Sequence, residues 1–531
     1  MGAGPLTSPE KKTRPTWKLK PPHDTQTQGI VVSGFSKLPS ASALFLLCDW
    51  PENGPNSHAS AGKGAWLKTL NTVAPITDAD GRDQRAASVA FTWTGLQKLG
   101  LSADALATFS APFREGMYQE DRLRRLGDKV DGDWKGTVIP GGPHWSANIP
   151  DDERHLITPM TRITVHALLL LYEKDVDSVQ AWAETVEKAL ACDGVKVVHR
   201  LPLDLRLDEN GIGREHFGFA DALSQPIPYD EKSGQATAND SLILTDGKPA
   251  TRDAWHGVPL GEILLGHTNA HHEKAPGPMV PDDSRASGLP TDDGAPKGFR
   301  NLGFDGSYMV VRELQQHVGA FWKSLKTGAA GIRAADPSAT HVTADWLAER
   351  VIGRNIDGHL LCPSGHLPVD KYNYPENAVG FKMSDPEGLG CPPGSHVHRA
   401  NPRDSLARDL ASAQTLLDAA NNHRILRRGR KYGTTLIDRD QDDDAERGLL
   451  FICLNSDIAR QFGFVQQTWL LNRNFATLFD ETDPLVGPKG HFTIREQPLR
   501  RIVEVETFIQ SAGGEYFFLP SIPALNYLAA L

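Results

Sequence analysis

Residues 391–404, CPPGSHVHRANPRD, set one histidine, His396, in a turn-forming loop rich in Pro and Gly. A cationic cluster begins three residues later, with Arg399 and Arg403 on either side of Asn401 and the helix-stopping Pro402. An imidazole on a constrained loop can ligate an iron, and two guanidiniums can neutralise carboxylates on the rim of a large flat anionic cofactor. Taken alone, the loop reads first as a capped turn with a surface ion pair. Two further segments carry complementary chemistry. Residues 215–226, EHFGFADALSQP, place a carboxylate, Asp221, in a loop that contains Gly218 and is broken by Ser-Gln-Pro. Residues 423–433, HRILRRGRKYG, place Arg427 and Arg428 directly after the apolar pair Ile425 and Leu426. A carboxylate can shuttle a proton between two oxygens. A nearby guanidinium holds it ionised and stabilises negative charge as it develops.

The three segments resemble, in chain order, the Asp loop, proximal-histidine loop and distal-arginine segment of dye-decolorizing (DyP-type) haem peroxidases. Other matching stretches are QGIVVSGFSKLPSASALFLL from Gln28, FREGM from Phe113, LGD from Leu126, GEILLGHTN from Gly261 and GSYMVVREL from Gly306. ERVIGRNIDGHLL from Glu349 and RGLLFICLNSDIARQFGFVQQTW from Arg447 are two more, and the resemblance as a whole runs from about residue 28 to past 480. It implies one haem b per chain, with hydrogen peroxide and aromatic or other one-electron donors as partners and a ferryl intermediate. The length and loop content resemble the larger members.

Residue by residue, the resemblance implies that His396 is the axial ligand of the iron, its second ring N–H given to a carboxylate. Asp480, in TLFDETDP, is the expected acceptor and Asp483 the runner-up. Arg399 and Arg403 would pair with the haem propionates, Asn401 would shape the loop, and His398 would face the propionates or orient the ligand. Gly218, Phe219 and Ala222 would line the cofactor. Asp221 would be the acid–base group and Arg427 its charge partner, chosen over Arg428 because the family arginine follows the apolar pair directly. Arg428 and Arg430 are expected as surface charges. The chain departs from the family pattern GxxDG at Ala222, where it reads GFADA. Alanine there costs little if its φ is negative, and otherwise it could shift Asp221.

Two other readings use some of the same residues. Cys362, His366, Cys391 and His396 would make a tetrahedral zinc set, though not at a common zinc-finger spacing. A haem carrier, sensor or iron-release protein would need neither Asp221 nor Arg427. If bulky substrates are oxidised at the surface, Tyr432, Trp469, Trp322 and Tyr308 are the available electron relays, each more readily read as a core aromatic.

These loops need a scaffold. A chain of 531 residues is too long for one ordinary core. Apolar runs predict strands at 42–47, 87–92, 163–172, 195–201, 263–265, 308–311, 449–454, 503–509 and 516–519. Helical spacing predicts helices at 65–73, 94–99, 178–190, 313–325 and 457–469. The two strand–helix–strand halves predict an α+β chain of two ferredoxin-like domains with antiparallel sheets, peripheral helices and long loops. Residues 1–27 would be a flexible arm, 28–235 the domain carrying the Asp loop, and 236–531 the haem-binding domain. The acidic stretch RDQDDDAER within 435–447 reads as a solvated surface loop.

A net charge of −10 argues against nucleic acid as a partner. The longest aliphatic run, 167–171, is too short to cross a membrane. With no apolar leader at the N-terminus, the expectation is a cytoplasmic protein, monomeric or homo-oligomeric. The five cysteines, Cys48, Cys192, Cys362, Cys391 and Cys453, do not form a disulfide scaffold, and Cys48 and Cys453 sit in apolar runs typical of a core.

Overall fold

The computed structural model describes residues 17–50, 62–81, 84–150, 162–205, 207–209, 211–229, 256–291, 296–362, 365–366, 380–439 and 441–531. The expected domain boundary at 235 and most of the expected arm lie outside these residues.

The first half builds four strands: β1 (Ser40–Cys48), β2 (Ala86–Phe91), β3 (Ala167–Glu173) and β4 (Val195–Asp204). Helix α1 (Trp66–Val73) lies between β1 and β2, and α2 (Val176–Ala191) between β3 and β4. The strands pair antiparallel in the order β4-β1-β3-β2. The second half repeats the order with β5 (Ser307–Gln316), β6 (Leu426–Arg427), β7 (Arg430–Tyr432), β8 (Gly448–Asn455) and, last in the chain, β11 (Ile509–Leu519). Here β11 and β8 flank β5, while β6 and β7 pair with β8. Helices α3 (Val318–Ala335) and α4 (Ala344–Ile352) follow β5, and between β8 and β11 lies the hairpin of β9 (Gly490–Arg495) and β10 (Arg500–Val505). In both halves the four-strand order is the ferredoxin-like one. The two sheets also join at both sides, with Lys431 opposite Asp204 and Phe91 opposite Phe518. The result is one closed ring of strands.

The ring explains why the strands read as unbroken apolar runs. Alternate residues point to opposite faces. In β1, Ala43 and Phe45 join an inner cluster with Leu168, Leu170, Met309, Val311, Leu450, Ile452, Phe517 and Leu519 from both halves. Leu44, Leu46 and Cys48 turn outward to the helix-covered cluster containing Trp66, Leu70, Val186 and Leu190. Both faces of β1 are therefore dry.

Several local expectations change. Residues 313–316 continue β5, and the helix begins only at Val318. Their polarity serves the fold: Glu313 accepts from Trp145 Nε1 at 2.7 Å and contacts His199 Nε2 at 3.1 Å. Residues 263–265 are buried but follow a short helical turn and form no strand. Val503 belongs to the β9–β10 hairpin, so the final strand begins at Ile509. The helix expected at 457–469 is present but wound in the wider π form over Ala459–Gly463 and Val465–Leu470. The described part of the arm packs against the body: Trp17 and Leu19 join the inner cluster, and the Gln28 amide bonds Val89 and Pro520.

Arg428 and Arg430 are not surface charges. Arg428 donates to the carbonyls of Ile30 and Val31, both at 2.7 Å. Arg430 donates to those of Gly34, Phe35, Leu38 and Pro39. Burial lowers both guanidinium pKa values to about 10, so both remain charged near neutrality and tie the N-terminal segment to β6 and β7. The acidic loop is exposed as expected, with Asp443 paired to Arg447. Among the described residues, no helix is long and apolar enough to cross a membrane.

Candidate active site

The His396 loop is held from below. The Asp385 carboxylate accepts the N–H groups of Leu389, Gly390 and Cys391, and the Ser395 N–H bonds the Pro392 carbonyl. The chain then enters the short helix α5 (His396–Ala400), which presents the His396 ring with about a quarter of the side chain exposed. Its Nδ1 lies 3.0 Å from Asp483 Oδ2. Asp483 is fully buried, and its Oδ1 accepts from the N–H groups of Leu485 and Val486, both at 2.9 Å. Burial pushes the Asp483 pKa up, but the charge and hydrogen bond of His396, the Val486 N–H and Arg399 outweigh it, and the net shift is downward. An ionised acceptor keeps the proton on Nδ1 and makes Nε2 an electron-rich donor. The partner of His396 is thus Asp483 and not Asp480, which is half-exposed and paired with Arg473 at 2.6 Å.

Arg399 and Arg403 diverge. Arg399 is buried and gives its guanidinium to five backbone carbonyls, of Gly394, Trp469, Leu470, Asn472 and Glu481. It braces α5 against the 469–481 segment, so most of its N–H groups are already taken by the protein. His398 is also engaged by the protein. It is buried, stacks on Phe381 at 3.9 Å and turns Nδ1 to the Cys391 carbonyl, and burial lowers its pKa to about 3. Arg403 is different. It is 1% exposed, has a left-handed φ of 50°, and lies 5.1 Å from the Phe381 ring. Its three guanidinium nitrogens have no hydrogen-bond partner within the protein, and neither do the buried Asn401 Oδ1 and Ser405 Oγ. A buried guanidinium without an acceptor is costly. An anionic group of the haem-propionate kind supplies what Arg403 lacks, so these residues fit the cofactor that the sequence suggests.

The Asp221 loop is built by its neighbours. Half-buried Glu215 accepts the N–H groups of Phe217 and Phe219 and the Gln316 amide, and burial raises its pKa to about 7. Gly218 has a φ of 102°, and Phe219 is buried. Asp221 Oδ1 accepts the Ala222 N–H at 2.5 Å, leaving Oδ2 for other contacts. Ala222 has a φ of 59° and Ser224 one of 56°, so two non-glycine residues near Asp221 are left-handed. Replacing Ala222 with Gly is therefore expected to stabilise the protein by about 1 kcal/mol, read as a higher urea midpoint. An unchanged or lower midpoint would show that the loop is not strained at Ala222.

The Arg427 segment grips this loop. Arg427 N–H bonds Gln225 Oε1 at 3.0 Å, its Nη2 bonds the Leu223 carbonyl, and Arg424 Nη2 bonds the Ser224 carbonyl at 2.6 Å. Arg427 thus reaches the backbone beside Asp221 and does not form an ion pair with it. Residues 353–358 tie both loops together. A Cβ on Gly353 (φ 96°) would meet Ser395 Oγ at 2.8 Å and Cys391 Sγ at 3.1 Å. One on Gly358 (φ 93°) would meet Leu223 Cδ1 at 2.4 Å and Ala220 Cβ at 3.1 Å. Between them, the Ile356 carbonyl accepts the Ala220 N–H and Arg214, which also pairs with Asp208 and Asp357. Five residue steps span at most roughly 17 Å, so this strut holds the two loops no farther apart than that order of distance. Glu215, Arg214 and this strut escaped the sequence reading, although the two glycines in GRNIDG mark where other chain comes close.

For the zinc set, Cys391 Sγ contacts Ser395 Oγ and the Gly353 carbonyl, while His396 turns Nδ1 to Asp483. The His366 side chain lies outside the described residues. The relay candidates Tyr432, Trp469, Trp322 and Tyr308 are all buried.

No protein-family model matches the chain. It is similar to dye-decolorizing peroxidase msp1 of Mycetinis scorodonius, 27% identical over 533 residues, covering 94% of this chain and 86% of that one. It is also 28% identical over 437 residues to the multifunctional dye peroxidase DyP2 of Amycolatopsis sp., covering 74% and 79%. The solved structure of a DyP-type peroxidase from Anabaena sp. superposes with a TM-score of 0.67 at 22% identity, covering 99% of this chain and 100% of that one. The resemblance to dye-decolorizing peroxidases extends over most of the chain, and the fold is theirs.

Proposed function

We propose that the chain acts as its relatives are named, as a peroxidase of the dye-decolorizing kind that uses haem b. The observation that supports this reading is the His396–Asp483 pair, an imidazole whose Nδ1 lies 3.0 Å from a buried carboxylate, on a loop that the 353–358 strut ties to the Asp221 loop. When bound, haem would supply the iron that receives peroxide and stores its oxidising equivalents. His396 Nε2 would hold that iron, and Arg403 would receive a propionate. Asp221, through Oδ2, would take the proton from the inner peroxide oxygen and return it to the outer one. Arg427 would offset the negative charge developing there and, through the Leu223 carbonyl, keep Asp221 in place. Dyes, phenolics or other one-electron donors would then restore the resting state.

The test is an absorption spectrum of the purified protein before and after one equivalent of hydrogen peroxide. A Soret band that shifts on peroxide addition supports the reading. A Soret band indifferent to peroxide would move it to a haem carrier, sensor or iron-release protein. No Soret band, even after haem is supplied, would sink it.

A further inference from the structure

Away from these loops, three side chains from distant parts of the sequence converge. His23 lies on the helical turn His23–Gln26, His267 follows the buried 263–265 stretch, and Asp305 lies just before β5. His23 Nδ1 is 2.8 Å from Asp305 Oδ2, and His267 Nε2 is 2.7 Å from Asp305 Oδ1. All three donor atoms lie within 4.8 Å of one another, the one such group among the described residues. Phe304 flanks both imidazoles, at 5.8 and 5.1 Å. The Asp305 side chain is 1% exposed, whereas those of His23 and His267 are 26% and 16% exposed. The carboxylate is thus sheltered, and the mouth of the cluster is open to solvent.

We propose that His23, His267 and Asp305 form a binding site for a divalent transition metal of the zinc class, with water completing the coordination. Two imidazole nitrogens and one carboxylate oxygen suit zinc and its neighbours, whereas calcium and magnesium select all-oxygen sets. Bonds of about 2.0–2.2 Å place the ligands of a tetrahedral ion roughly 3.3 Å apart. With one carboxylate oxygen as ligand, its hydrogen-bonded contact to one ring need only lengthen slightly, and the other separations close by at most about 1.5 Å, which is within the reach of small side-chain rotations. The ion would replace the protons now shared between carboxylate and rings. It would also join the N-terminal segment to the start of β5 across 282 residues, a long loop whose closure a cross-link stabilises. Neither His396 nor Asp221 takes part, so the site stands or falls independently of the peroxidase reading.

The test is calorimetric titration of zinc chloride into the full-length, chelator-treated protein as purified, with zinc content measured by elemental mass spectrometry. Wild type should bind one equivalent. His23→Ala and His267→Ala should each weaken binding by about a hundredfold, and His23→Gln, which keeps a hydrogen-bonding group, should do the same. His341→Ala, which alters an exposed imidazole paired with Glu496, should bind as wild type does. Zinc should raise the melting temperature of wild type and His341→Ala only. Absence of stoichiometric binding to wild type would overturn the proposal. Binding that survives in His23→Ala would also overturn it, assigning the metal to the histidines of 267–272 alone.

Discussion

Replacing His396 with Ala is expected to give a folded protein with essentially no Soret absorption. The other histidine of this loop offers no imidazole nitrogen with an ionised partner. His398 is stacked on Phe381 and turned to the Cys391 carbonyl. Loss of the iron bond should weaken haem binding by about a hundredfold or more. The variant should keep the circular dichroism of the parent, because His396 is partly exposed and belongs to no core cluster. Added imidazole should restore part of the Soret band by entering the space vacated. A normal haem spectrum in His396→Ala without imidazole would refute the ligand assignment. Asp483→Asn offers a finer test: haem should remain, but with a less electron-rich ligand, and the reduction potential should rise.

The second large effect concerns proton transfer. Asp221→Asn should retain haem and react with peroxide about 10²–10⁴-fold more slowly in stopped flow, because an amide cannot take the proton. Arg427→Leu should cost about 10²–10³-fold, for two reasons that can be separated. It removes a positive charge, and it releases the Leu223 carbonyl that fixes the loop. Arg427→Lys restores the charge but not the fork of donors. Recovery with Lys would assign the loss to charge, and failure to recover would assign it to loop position. Wild-type rates in Asp221→Asn would exclude it as the acid–base residue.

Much of the scaffold was legible because both faces of β1 and β3 are dry: the runs ALFLL in β1 and ALLLL in β3 could be little else than buried strands. Polar residues with distant partners were misread. Glu313, Gln315 and Gln316 look like the start of an amphipathic helix, yet they continue a strand that satisfies Trp145, His199 and Glu215. Arg428 and Arg430 resemble a surface patch because their acceptors are carbonyls about 390 positions earlier, which no local pattern announces. Within the site, histidine, aspartate and arginine segments could be found by residue type and order, but the choice between Asp480 and Asp483 required the turn. One signal was available: an Asp before Pro whose side chain accepts N–H groups two and three residues on is a turn-forming arrangement that points inward. Arg399 and Arg403 are indistinguishable in sequence, and only the surrounding carbonyls show which guanidinium is already occupied.

The closed ring bears on how the molecule is made. Each half alone would be a four-stranded sheet with bare edges, whose unpaired N–H and C=O groups invite pairing with other chains. The strand that closes the second half and meets β2 of the first is Ile509–Leu519, almost the last to be synthesised. The earlier strands must therefore wait, exposed, until nearly the whole polypeptide has emerged. A chain cut short before Ile509 would be left with open edges on β2 and β5 and should accumulate as aggregates rather than as a smaller soluble unit.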